Sequence, residues 1–285
     1  GYYLYSNLEI KGAKYLKKYI YRVIIIVLIW GCIHMFLFSV RYYYNLDCSL
    51  FTKLVKAFLN LTVSGGHSHL WFLPALVIDS ILIFFVWKIK KPRLTFIICL
   101  LLFLTGCFLD RYYQFFDMPT SFENARNILG YIMLHPSHNL LFAGFPLMYL
   151  GMLIAKHPNI VNKNRLQWFV IAFLIFVIEF IALNFLFGNT MNPTTIYLTY
   201  PILLYFIVSY LMKDPWKELN NKVPTFFIIT DLSLGIYLVH FIFINYLSQL
   251  PLYSISRFFI VLSLSLITII LLKSIFKGKP ISRYF

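Results

Sequence analysis

Eight apolar runs restrict the fold of this chain more than any other feature. They fall at about residues 22–40, 70–87, 94–109, 140–155, 168–187, 196–212, 226–247 and 258–272. Each approaches the roughly 17–25 residues that an α-helix needs to cross a hydrocarbon core of about 30 Å. The third run is short, and the fourth is interrupted by Gly144 and Pro146. A lipid-spanning barrel would alternate polar and apolar residues, which these runs do not. Composition argues against a soluble domain. Of 285 residues, 60% are hydrophobic and only 12% charged, too few to cover a water-facing surface. The expected fold is all-α, a polytopic transmembrane bundle of about eight spans. It is read as a single membrane-embedded domain over residues 1–285.

Loop charge sets an expected orientation. Lys11, Lys14, Lys17, Lys18 and Arg22 precede or open the first run, and Lys88, Lys90, Lys91 and Arg93 join the second to the third. Lys156, Lys163 and Arg165 follow the fourth, Lys213, Lys217 and Lys222 follow the sixth, and Lys273, Lys277, Lys279 and Arg283 close the chain. The alternate loops are poorer in Lys and Arg, and residues 188–194 carry no charge. Positive loops stay in the cytoplasm, so both termini of this chain are expected inside a cell membrane. The formal net charge of +15 then reads as a cytoplasmic collar facing anionic lipid. No motif supports nucleic-acid binding.

The four cysteines carry little. Cys32, Cys99 and Cys107 fall in runs, and Cys48 alone in an outer loop cannot build a disulfide framework. No ligand spacing indicates a metal, and none is expected. The sequon at Asn60 would matter only on a eukaryotic secretory route. The chain opens on Gly1 rather than Met, and "GYYLYSN" reads like the end of a helix, so a start further upstream is expected.

The stretch "GGHSHLWFLPAL" at 65–76 places His67 and His69 at the outer mouth of the second run. Gly65 and Gly66 allow a tight reversal there. Trp71 alone is best read as a member of an interfacial aromatic belt, but such an anchor needs no imidazole. Other polar residues lie inside runs: His34, Asp79, Glu179, Asp231, Ser233, Tyr237 and His240. Ionisable groups in hydrocarbon are costly and face a cavity or a partner. For Asp79, Glu179 and His34 a structural hydrogen bond between helices is the better reading. Ser233, Tyr237 and His240 follow i, i+4, i+7 and share one helix face, as do His69 and Ser80. His69 and His240, both toward the outer side, are expected to line a shared polar cavity with His67, Trp71, Ser233 and Tyr237.

"HLWFLPAL" at 69–76, "SLGIYLVH" at 233–240 and "LLFAGFPLMYLGMLIAK" at 140–156 resemble matching stretches of the multi-pass membrane O-acyltransferase family, acyltransferase type 3. The membrane domain of vancomycin-resistance serine racemases is similar too. "GYYLYS" at 1–6 resembles the end of the family's second helix, and "KKYIYRVIIIVLIW" at 17–30 the start of its third. Members usually have ten spans, which implies a helix pair before Gly1. Its first helix would carry the family's Arg and His, so the family's base would lie before residue 1. Of the family's Arg-x-x-Arg pattern, Arg22 matches the second Arg, while Tyr19 stands at the first with Lys18 beside it.

The resemblance implies acyl transfer, commonly of acetyl from acyl-CoA, to a hydroxyl of a cell-surface glycan, lipid or small molecule. Such chemistry needs a base, and imidazole suits that role near neutral pH. It also needs donors for the oxyanion and cations for the donor's phosphates. His69 and His240 are the catalytic candidates, and Arg22 with Lys18 the donor-binding ones. No resident cofactor is expected, since acyl-CoA is a co-substrate. Two rivals stand beside this reading. A transporter or exporter would want inverted repeats and helices broken near mid-bilayer, for which Gly144, Pro146 and Pro201 are the nearest signals. A non-catalytic, truncated acyltransferase-like module is the other.

Overall fold

The computed structural model of the protein describes residues 1–39, 49–64, 70–110, 112–116, 119–124, 126, 140–157, 165–187, 196–211, 224–248, 250 and 254–276. Among these residues the regular structure is entirely helical. A short helix α1 (Tyr2–Lys11) turns at Gly12 into α2 (Ala13–His34), which continues as a π-helix over Met35–Ser39. Gly12 has φ +62°, a left-handed conformation that glycine adopts without strain, and its N–H caps α1 on the Leu8 carbonyl. Next come α3 (Leu50–Ser64), α4 (Phe72–Ile89) and α5 (Pro92–Asp110). Lys90 closes α4 in the left-handed region, and Pro92 opens α5 at a position that needs no N–H. A 3-10 turn, Tyr112–Phe115, follows α5. A π-helix, Leu140–Gly144, leads into α6 (Phe145–Lys156), and then come α7 (Arg165–Phe187), α8 (Tyr200–Leu211), α9 (Pro224–Leu247) and α10 (Ser254–Ile275).

The eight apolar runs all coincide with helices. Five are long and apolar enough to cross a membrane: Ala13–Phe38, Phe72–Ile89, Pro92–Asp110, Leu166–Leu186 and Ser254–Ile275. Shorter apolar helices, Leu140–Lys156, Tyr200–Ser209 and Leu232–Leu247, occupy the other three runs. Large apolar side chains such as Leu101, Leu104, Leu174 and Ile178 lie exposed along these helices. In water such faces would aggregate, whereas in a bilayer they meet lipid.

Three sequence expectations change in detail. Gly144 and Pro146 do not break the fourth run. They mark a switch from π- to α-helix, with Pro146 in the first α-turn. Pro201 likewise sits in the first turn of α8 and interrupts nothing. The sixth run, 196–212, is helical only from Tyr200 to Leu211, about 18 Å long at 1.5 Å per residue. The connection between the first and second runs also contains an unforeseen helix, α3. Leu50, Phe51, Leu54, Val55 and Phe58 form its apolar stripe, with Lys53 and Lys56 on the other side.

The helices gather into two compact units, one holding residues 1–24 with α4 to α8, the other 25–61 with α9 and α10. In the first, Leu4, Leu8, Leu16, Ile83, Phe145 and Tyr149 form a core, and the Tyr149 hydroxyl donates to the Pro92 carbonyl at 2.9 Å. In the second, α9 and α10 approach closely at Gly235, where a Cβ would come within 2.9 Å of Ile269.

Candidate functional site

In the second unit, α9 holds Ser233, Tyr237 and His240 on one side, as their spacing requires. The Tyr237 and His240 rings lie 5.8 Å apart, while Ser233 is exposed. His240 Nδ1 is 2.7 Å from the Tyr237 carbonyl and 3.2 Å from that of Ile236. A nitrogen that close to a carbonyl oxygen is the protonated one, so the lone pair of a neutral ring lies on Nε2. His240 also lines a cavity of about 440 Å³ between α9 and α10. Arg257, three residues into α10, lines the same cavity and donates from Nη2 to the Leu250 carbonyl at 3.2 Å. Ile236, Ile244, Phe258 and Val261 supply apolar wall.

His34, in the same unit, is fully buried, and its Nε2 donates to the Leu238 carbonyl of α9 at 2.8 Å. Trp30 and Phe38 flank its ring at centroid distances of 6.3 and 5.6 Å. This is the interhelical bond expected of it.

In the first unit, Lys18 and Arg22 lie exposed on α2. Tyr19 of α2 lies close to Ser80 of α4 and to Arg22. Asp79, next to Ser80 in the chain, is buried against the π-helix. A Cβ built on Gly144 would collide with Asp79 Oδ2, so a larger residue there must displace the buried carboxylate. Among the described residues Asp79 Oδ1 has no hydrogen-bond partner. A separate cavity of about 210 Å³ opens at the turn between α4 and α5, lined by Tyr5, Glu9, Trp87, Lys90, Met152 and Lys156. Trp87 Nε1 donates to Glu9 Oε1 across it at 2.6 Å.

Glu179 of α7 is heavily bonded. It accepts the N–H of Leu198 at 2.8 Å and of Thr199 at 3.0 Å, and the hydroxyls of Thr199 and Tyr112. Asp110 Oδ2 accepts the Ile196 N–H at 2.8 Å. Two carboxylates thus hold residues 196–199 ahead of the α8 N-terminus, where negative charge is favoured. Burial pushes the Tyr112 phenol up from its usual range, and the bond to Glu179 pushes it the same way. With its oxygens occupied in this way, Glu179 makes the kind of structural hydrogen bond expected of it.

His67 and His69 lie outside the described residues, and the Asp231 side chain does too. Trp71 is partly buried and packs on Phe103, Cys107, Ala143 and Ile196 of the first unit.

Residues 1–274 match the model of the family described as Acyltransferase domain. The chain belongs to that family. It is also 26% identical over 124 residues to an amino-acid racemase of Enterococcus faecalis, an alignment that takes in 43% of this chain and 17% of the racemase. The chain therefore spans only a small part of that relative's length. No solved structure matches the chain.

For an acyltransferase domain the most informative side chains are those around the two cavities. Sequence reasoning singled out His240 but passed over Arg257, which reads as a flanking charge just before the last apolar run. It left Glu9 and Trp87 without a role and read Lys90 and Lys156 only as loop charge, because the four come from three separate segments. Only the packing of α1, α4 and α6 brings them to one cavity.

Proposed function

We propose that this acyltransferase domain transfers an acyl group, acetyl in the simplest case, from acyl-CoA to a hydroxyl of a cell-surface glycan, lipid or small molecule. The observation that carries the reading is His240: a histidine with its proton placed on Nδ1, set in the wall of a 440 Å³ cavity. The acceptor hydroxyl donates its hydrogen bond to Nε2. Its oxygen attacks the thioester carbonyl, a C–O bond forms and the C–S bond breaks. The hydroxyl proton passes through the imidazole to the departing sulfur, so ester and free thiol are the products. Arg22 and Lys18 hold donor phosphates, Arg22 through its two-pronged guanidinium. In this reading the Lys- and Arg-rich loops face the cytoplasm of a cell membrane, where acyl-CoA resides.

The test is acetyl transfer from radiolabelled acetyl-CoA in inverted vesicles carrying the full-length protein. His240→Gln preserves shape and some hydrogen bonding but cannot relay a proton. It should lower kcat on the order of 100-fold with insertion intact. Near-full transfer by that variant would show His240 to be a structural residue.

A further inference from the structure

The cavity between α9 and α10 has a chemistry that acyl transfer alone does not require. His240 lies seven residues before the C-terminal end of α9, and Arg257 three residues after the start of α10. At 1.5 Å per residue these depths are about 10 Å and 5 Å from the same helical connection. A guanidinium and an imidazole thus share one cavity near one end of the helix pair, with Ser254 also in its lining. The rest of the described lining is apolar, including Ile236, Ile244, Phe258 and Val261. The volume of about 440 Å³ falls within the range of small-molecule pockets.

Arg257 is half-buried in the first turn of α10, near the end of the helix, and its guanidinium is the charged group of a largely apolar lining. Its fixed fork suits phosphate and carboxylate, and the bonds it makes to them strengthen where water is thin. The bond from Nη2 to the Leu250 carbonyl fixes the guanidinium on the connection that leads into α10. The apolar wall on either side suits a ligand body that is itself apolar. A neutral sugar would gain little from either surface.

We propose that this cavity is an acceptor subsite for an organic anion, a phosphate or carboxylate carried on an apolar body, with Arg257 holding the charged group. The assignment rests on the acyl-transfer reading for the word acceptor, since it places the anion beside the His240 that would receive the hydroxyl. Binding of the anion itself does not depend on that reading.

The experiment is equilibrium binding to the purified full-length protein in neutral detergent, with no acyl donor present. The probes are hexyl phosphate, sodium hexanoate, inorganic phosphate and hexyl glucoside. Hexyl phosphate or hexanoate should bind at least ten-fold more tightly than inorganic phosphate and than the neutral glucoside. The better of the two identifies the headgroup. Arg257→Gln should weaken that binding at least ten-fold, and Arg257→Lys should keep part of it. Ile244→Trp leaves the charge in place but narrows the cavity, and it too should weaken the amphiphile, which covers the case of an Arg257→Gln protein that does not fold. Inorganic phosphate binding as tightly as hexyl phosphate would remove the apolar body from the assignment. Equal binding of the glucoside, or unchanged binding by Arg257→Gln and Arg257→Lys, would overturn the anion site. Because no turnover is measured, such a failure leaves acyl transfer standing. Loss of transfer with anion binding intact would do the reverse.

Discussion

Replacing Glu179 tests whether this intramembrane carboxylate is a structural clamp. It accepts four hydrogen bonds: two backbone N–H groups, from Leu198 and Thr199, and two hydroxyls, from Thr199 and Tyr112. In water-soluble proteins a bond to a charged group contributes about 1.5–3 kcal/mol. Inside membranes the average is nearer 0.6 kcal/mol with a ceiling of about 1.7, because the unfolded chain in the bilayer also finds partners. Four bonds therefore give roughly 2–7 kcal/mol, and the half-buried position of Glu179 favours the lower half. Glu179→Ala should cost about 3 kcal/mol. Glu179→Gln is the more telling variant. Its amide keeps one acceptor oxygen but turns two N–H donors toward groups that are themselves donors, so it should be only slightly milder than Ala. Equilibrium unfolding in mixed micelles with increasing SDS measures both. The matching functional expectation is that acyl transfer per folded molecule stays near wild type, since Glu179 spends its oxygens on residues 198–199 and Tyr112. A Glu179→Ala protein within about 0.5 kcal/mol of wild type would refute the clamp. A fully folded but inactive Glu179→Gln would make the carboxylate part of the chemistry.

Two further outcomes are expected. Gly144→Ala drives a Cβ to within 2.2 Å of Asp79 Oδ2 and should cost about 1–3 kcal/mol, much of it regained in Gly144→Ala with Asp79→Ser, so a double-mutant cycle with no coupling would contradict the packing. Arg22→Ala should raise the KM for acyl-CoA about ten-fold in inverted vesicles while Arg22→Lys recovers only part, and an unchanged KM in both would remove Arg22 from donor binding.

What the sequence reveals and what it hides follow from the solvent. A bilayer cannot hydrogen-bond a bare backbone, so a long apolar run must be helical, and each of the eight runs has a helix among its described residues. The same rule is blind to α3, whose fifteen residues are too short to span. Its signal lay elsewhere, in apolar residues at 50, 51, 54, 55 and 58 with Lys53 and Lys56 opposite, a helical period that a search for spans passes over. The boundaries of α8 were hidden for another reason. Ile196–Thr199 are apolar enough to read as helix, but Asp110 and Glu179 take the N–H groups of Ile196, Leu198 and Thr199, and nothing local in the sequence announces that competition. The face shared by Tyr237 and His240 was legible from spacing alone. Arg257 was not, because the residues that make it part of a cavity come from a second helix.

The polar residues of the spans then sort by what their atoms already do. His34 is fully buried, and one nitrogen is committed to a carbonyl 204 positions away in sequence. Glu179 and Asp110 spend their oxygens on the chain ahead of α8. Each exchanges the cost of a polar group in hydrocarbon for a fixed contact between helices, so conservative replacement should be felt as stability. His240 is placed differently. Its Nδ1 proton is absorbed by its own helix, through the Tyr237 carbonyl, a bond that ties no second helix and fixes only the tautomer and the ring. His240 also stands in the wall of the 440 Å³ cavity that Arg257 lines, and in the acyl-transfer reading its Nε2 serves whatever fills that cavity. That asymmetry separates His240 from His34 on the same unit: Gln at 34 should show in unfolding, and Gln at 240 in turnover.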